Sequence, residues 1–103
     1  MTLRELLTTA AADLDDVTTA SSPEGEIAWS RGADLFATLR GDGSAAEFKL
    51  DSAVAAAAVR TPDTVPSPRG SGWVLFRPTT LDAHGADRAA AWFVSACRLA
   101  RKV

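Results

Sequence analysis

His84 and Cys97 are the only histidine and the only cysteine in the chain, so nucleophilic or metal chemistry would have to begin with them. A thiol acts as a nucleophile when a base lies within hydrogen-bond reach. Thirteen residues separate the two, about 20 Å at the rise of a helix, too far for proton transfer. Neither belongs to a Cys-x-x-Cys, a His-x-x-x-His or a His–carboxylate cluster, so no metal site is expected. Cys97 falls on an apolar helical stripe and reads as core, and His84 reads as an exposed first-turn residue. Asp13, Asp15 and Asp16 crowd a helix end, which is the composition of a solvated terminus. Gly41-Asp42-Gly43 and Gly70-Ser71-Gly72 have the glycine content of phosphate loops, but both precede strands and neither carries Gly-Lys-Ser/Thr. They are turns. The expectation is a non-enzymatic protein with no catalytic residue, no cofactor and no metal.

Binding chemistry concentrates in the stretch RTPDTVPSPRGSGW, residues 60–73. Pro62, Pro66 and Pro68 each fix a backbone dihedral, so this segment is ordered at low entropic cost. Arg60 and Arg69 present planar forks suited to a carboxylate or a phosphate. Asp63 is placed to pair with either arginine, and Ser67 to begin a turn. The stretch has two readings: a stiff crossover pinned by Arg–Asp contacts, or an edge that meets an anion or a partner. In the second, Lys49 and Arg77 join Arg60, Asp63, Ser67 and Arg69 as the binding set. Among the aromatic residues, strand alternation assigns Trp29 and Trp73 to a core face. Trp92 stands about 100° round its helix from the apolar stripe and is a candidate interaction patch.

Charge is unevenly spread over the 103 residues, whose formal net is −2. Residues 1–30 hold one basic and six acidic residues, whereas the chain from Arg60 onward holds seven basic and three acidic ones. That distribution allows a local basic face but lacks the overall excess common in nucleic-acid binders. No apolar run approaches the roughly 20 residues that cross a bilayer, and the N-terminus lacks a secretory pattern. A single cysteine fits a reducing compartment, and the cytoplasm is the expected location.

These residues need elements to position them. Thr2 and Glu5 have capping-box spacing, and Leu3, Leu6, Leu7, Ala10, Leu14 and Val17 recur at helical spacing, predicting a helix that ends near Asp16 or Val17. TTASSPEG then reads as loop. Three short strands follow. EIAWSR puts Ile27 and Trp29 on one face. DLFATLR sets Leu35, Ala37 and Leu39 against Phe36, Thr38 and Arg40. AAEFKL sets Ala46, Phe48 and Leu50 against Glu47 and Lys49. Short glycine-bearing connectors favour antiparallel hairpins. DSAVAAAAVR predicts a small-residue helix capped by Asp51 or Ser52, and GWVLF a further strand. The last helix runs from about Asp82 to Lys102, with Ala86, Ala89, Ala90, Phe93, Val94, Cys97 and Ala100 inward. Arg98, Arg101 and Lys102 suit its C-terminal dipole.

This order, with TLRELL, DLFATL, EFKLDSAVAAAA, PSPRGSGWVLF and a closing helix that carries Ser95, resembles the MmcQ/YjbR-like family of small bacterial proteins. The resemblance covers nearly the whole chain and implies a frataxin-like α+β fold with DNA binding. Ala96 departs from the aromatic residue that the family pattern expects after Ser95. The EFKL and Gly-Trp-Val-x-Phe strands are also similar to those of bacterial luciferase-domain proteins. The expected architecture is one α+β domain over 1–103, an antiparallel sheet of four or five strands with the N- and C-terminal helices on one face. The expected function is binding without catalysis or membrane contact. Its partner is a nucleic acid or other anion held by Arg60, Arg69 and Arg77. The alternative is a protein client held by the sheet face, the 60–73 loop or Trp92, as in an adaptor or chaperone.

Overall fold

A computed structural model describes residues 1–100, which form a six-stranded antiparallel sheet and three helices. Arg101 and Lys102 of the expected last helix lie outside the described residues. In chain order the elements are α1 (Leu3–Ala12), β1 (Val17–Ser21), β2 (Ile27–Arg31), β3 (Asp34–Leu39), β4 (Ala46–Lys49), α2 (Ser52–Ala58), β5 (Thr64–Pro66), β6 (Trp73–Phe76) and α3 (Ala83–Leu99). The strands stand in the order β1-β2-β3-β4-β6-β5. The α+β architecture matches the expectation, with one strand more than the upper count.

The helix starts follow from side chains that satisfy orphan amides. Thr2 and Glu5 form the capping box of α1, with Oγ1 of Thr2 accepting from the Glu5 amide and Oε1 of Glu5 accepting from the Thr2 amide. Asp51 caps α2 by accepting from the Ala53 amide, and Asp82 caps α3 by accepting from the Gly85 amide. The end of α1 differs from the expectation. It stops at Ala12, and Asp16 at φ 64° turns the chain into β1, over residues read from composition as loop.

Alternation then sorts the sheet into two faces. Ile27, Trp29, Ala37, Leu39, Ala46, Phe48, Val74 and Phe76 align across the strands toward the helices. Phe36 joins them, against the expected alternation, because of a bulge. The register shifts so that Trp29 pairs with Ala37 and Ser30 with Leu35, leaving Phe36 as the extra residue on β3. Phe93 of α3 meets Trp29 and Phe36 edge-on, at centroid distances of 5.1 and 5.3 Å. Leu3 and Leu7 of α1 and Ala58 of α2 complete the same apolar cluster.

Two loops are drawn together beneath α1. The Arg4 guanidinium donates to the Gly25 carbonyl at 3.2 Å and to the Gly41 carbonyl at 2.8 Å, joining the β1–β2 and β3–β4 connections. Gly41 is required there by close approach, since a Cβ would fall 2.3 Å from the Glu24 carbonyl oxygen. Among the described residues no helix is long and apolar enough to cross a membrane.

Candidate functional site

The face of the sheet turned away from the helices carries a polar cluster centred on Glu47. Strand register places Glu47 of β4 between Thr38 of β3 and Leu75 of β6. The Thr38 hydroxyl donates to Oε1 of Glu47 at 3.2 Å. After β5 the chain turns through residues 67–72 and returns as β6, closed by hydrogen bonds from the Ser67 amide to the Trp73 carbonyl and from the Trp73 amide to the Gly70 carbonyl. Gly72, at φ 82°, lets this turn sit against β4, where its carbonyl accepts from the Leu50 amide and a Cβ would strike the Leu50 carbonyl.

The turn delivers Ser67 and Arg69 onto Glu47. The Ser67 hydroxyl donates to Oε2 of Glu47 and accepts from the Arg69 amide. Nε of Arg69 donates to Oε1 of Glu47 at 2.9 Å, with side-chain exposures of 35% for Arg69 and 17% for Glu47. The Arg69 guanidinium also lies over the Trp73 ring, 5.4 Å from its centroid. Burial by itself pushes the Glu47 carboxyl up. The hydrogen bonds from Ser67, Arg69 and Thr38, with the Arg69 charge, outweigh it and hold the group below its ordinary value.

The Glu47 carboxyl is thereby held in its charged form, the form that accepts from the Ser67 hydroxyl and the Arg69 guanidinium. Elsewhere, burial pushes the Cys97 thiol up against the pull of Arg31 and Arg98, and His84 is exposed at the opposite end of α3. Among the described residues no three His, Cys, Asp or Glu side chains gather as a metal site. The arrangement is a carboxylate held by two hydroxyl groups and one guanidinium on the open face of the sheet.

Of the residues expected to bind, Ser67 and Arg69 come together here. Asp63 pairs with neither Arg60 nor Arg69; Glu47 takes the arginine instead. Asp63 adopts φ 64°, and its carbonyl accepts from the Arg77 amide at 2.9 Å. Asp63 and Arg77 line an open depression beside the cluster, with Thr64, Val65, Leu75 and Thr79. Lys49 is exposed and pairs in register with Trp73. Arg60 is exposed just beyond α2, outside the cluster.

Two aromatic expectations are corrected. Trp73 is half-buried on the open face, because Val74 and Phe76 take the core positions of β6. Trp92 is 8% exposed and packs against Phe48 and Phe76, at 6.2 and 5.7 Å, so it is core and not an accessible patch. Sequence reasoning missed Glu47 and Thr38 as site residues. Their shared signal is a polar position on the non-core face of an interior strand. Compared with protein-family models, curated proteins and solved structures, the chain matches none.

Proposed function

We propose that this chain is a non-enzymatic, cytoplasmic binding domain that holds a protein partner on the open sheet face around the 67–73 turn. One observation carries the reading: Arg69 lies over Trp73 and is neutralised by Glu47, beside the depression and the 49% exposed Val65. Arginine and tryptophan with apolar neighbours are the residue types that dominate protein–protein contacts. An incoming anion, by contrast, has to compete with Glu47 for Arg69.

A second reading, anion or nucleic-acid binding, is favoured by one observation: Lys49 and Arg77 are exposed, Lys49 beside Trp73 and Arg77 in the depression. One experiment separates the two. Cell extract is treated with nuclease and passed over the immobilised chain. Each retained protein is then purified and its binding measured against wild type and Val65→Glu. The expected result is a partner whose affinity falls at least about tenfold with Val65→Glu, the scale of an interface hot spot. No such protein partner, together with retention of purified DNA or RNA fragments in a parallel binding assay whose steep salt dependence is reduced by Arg77→Glu, would overturn it in favour of the second reading.

A further inference from the structure

We propose that the outer edge of β1 accepts an extended, basic polypeptide segment as a seventh strand of the sheet. This site is separate from the open face and does not depend on the function proposed there. β1 is the last strand at its end of the sheet. The Ser22 amide donates to the Glu26 carbonyl at the hairpin end, and the β1–β2 register is regular from Ser21↔Ile27 to Val17↔Arg31. Antiparallel ladders alternate hydrogen-bonded and non-bonded pairs. Thr18 and Ala20 therefore bond to β2, while the amides and carbonyls of Val17, Thr19 and Ser21 point off the sheet.

Folded proteins normally blunt such an edge with proline, charged residues, bulges or shortness. The opposite edge follows that rule, for β5 is three residues long and ends in Pro66. β1 has five residues, with no proline, no charge and no bulge against β2. Thr18, Thr19, Ala20 and Ser21 are exposed along it. An unblunted edge of this kind is the template used in strand addition.

The charges flanking the strand select the occupant. Asp13 and Asp15 precede β1, Glu24 and Glu26 follow it, and all four are exposed. Between Asp13 and Glu26 there is no basic residue. A second copy of the chain is a poor fit. Antiparallel self-pairing centred on Thr19 sets Asp15 beside the Pro23–Glu24 corner of the other copy, acid against acid at both ends. A segment of small or β-branched residues with lysine or arginine at each end matches the same geometry, over a strand span of about 17 Å. The acids thus repel self-association and admit a cationic strand.

The test uses the full chain, isotope-labelled, and an N-acetylated peptide Lys-Lys-Val-Thr-Val-Thr-Val-Lys-Lys. Its titration is expected to shift amide resonances chiefly at 17–21 and to slow exchange at Val17, Thr19 and Ser21. Affinity is expected to weaken several-fold as salt rises from about 0.05 to about 0.3 M. Thr19→Pro removes an outward donor without touching the β1–β2 ladder and is expected to abolish binding. The exposed pair Asp15→Lys with Glu24→Lys decides the matter if that variant does not fold. It is expected to weaken the lysine peptide about tenfold and to favour one with glutamate in its place. Shifts mapping to β5 or the open face, no shifts at millimolar peptide, or dimerisation of the chain through β1 would each overturn the proposal.

Discussion

At the scale of single residues, Glu47 is the most consequential side chain on the open face. Its folded-state pKa is depressed, so its contribution to stability is complete above the ordinary glutamate value of about 4.3 and is lost as pH falls through the lower folded value. Glu47→Gln is expected to lower stability by about 1–2 kcal/mol at neutral pH. It is also expected to flatten the loss of stability expected of wild type between about pH 5 and pH 3. Urea midpoints measured across that range decide it: a variant as acid-sensitive as wild type contradicts the assignment. The proline-rich stretch singled out Ser67 and Arg69, but the side chain they meet within the fold was not legible there. Local spacing offers Asp63; strand register instead brings in Glu47, 22 positions from Arg69. Long-range register is what a turn-sized window of sequence does not contain.

At the scale of elements, the capped helices and the four strands with an apolar face were all legible, because each announces itself by period or by cap. β1 and β5 were not. β1 is exposed on both faces for most of its length, so threonine, alanine and serine give it the composition of a loop. β5 is three residues between Pro62 and a terminal Pro66, tolerated because an edge strand needs no outward amide. What joins the elements is also local in its cause. Gly41→Ala would force the loops after β1 and β3 apart, since the added carbon has no room beside the Glu24 carbonyl. The expected cost is about 1–3 kcal/mol, read as a lowered Tm, with the amide signals of Gly25 and residue 41 displaced. Gly43, also in the β3–β4 connection, has open space around its Cβ position, and Gly43→Ala tests its positive φ alone.

At the scale of the whole molecule, one layer of helices covers one face of the sheet, and the aromatic residues of α3 tie the layers together. The helical period chose Phe93 for the core and left Trp92 aside, yet both are buried. The reason is width. A sheet of six strands offers α3 a surface broad enough to take adjacent positions, Phe93 over Trp29 and Phe36, and Trp92 over Phe48 and Phe76. Trp92→Ala is therefore expected to destabilise the fold by about 3–5 kcal/mol, by thermal or chemical unfolding. A fully stable Trp92→Ala protein would return that residue to the surface.

The packing of α1 against α3 has a consequence for how the chain is made. α1 leaves the ribosome first of these elements, and α3 follows about 70 residues later, several seconds at about 5–20 residues per second. During that interval Leu3 and Leu7 have no α3 to cover them, although the tips that Arg4 joins, at Gly25 and Gly41, are made well before it. The first helix built is thus among the last parts secured, and nascent chains halted before α3 carry an apolar helix that a chaperone can hold.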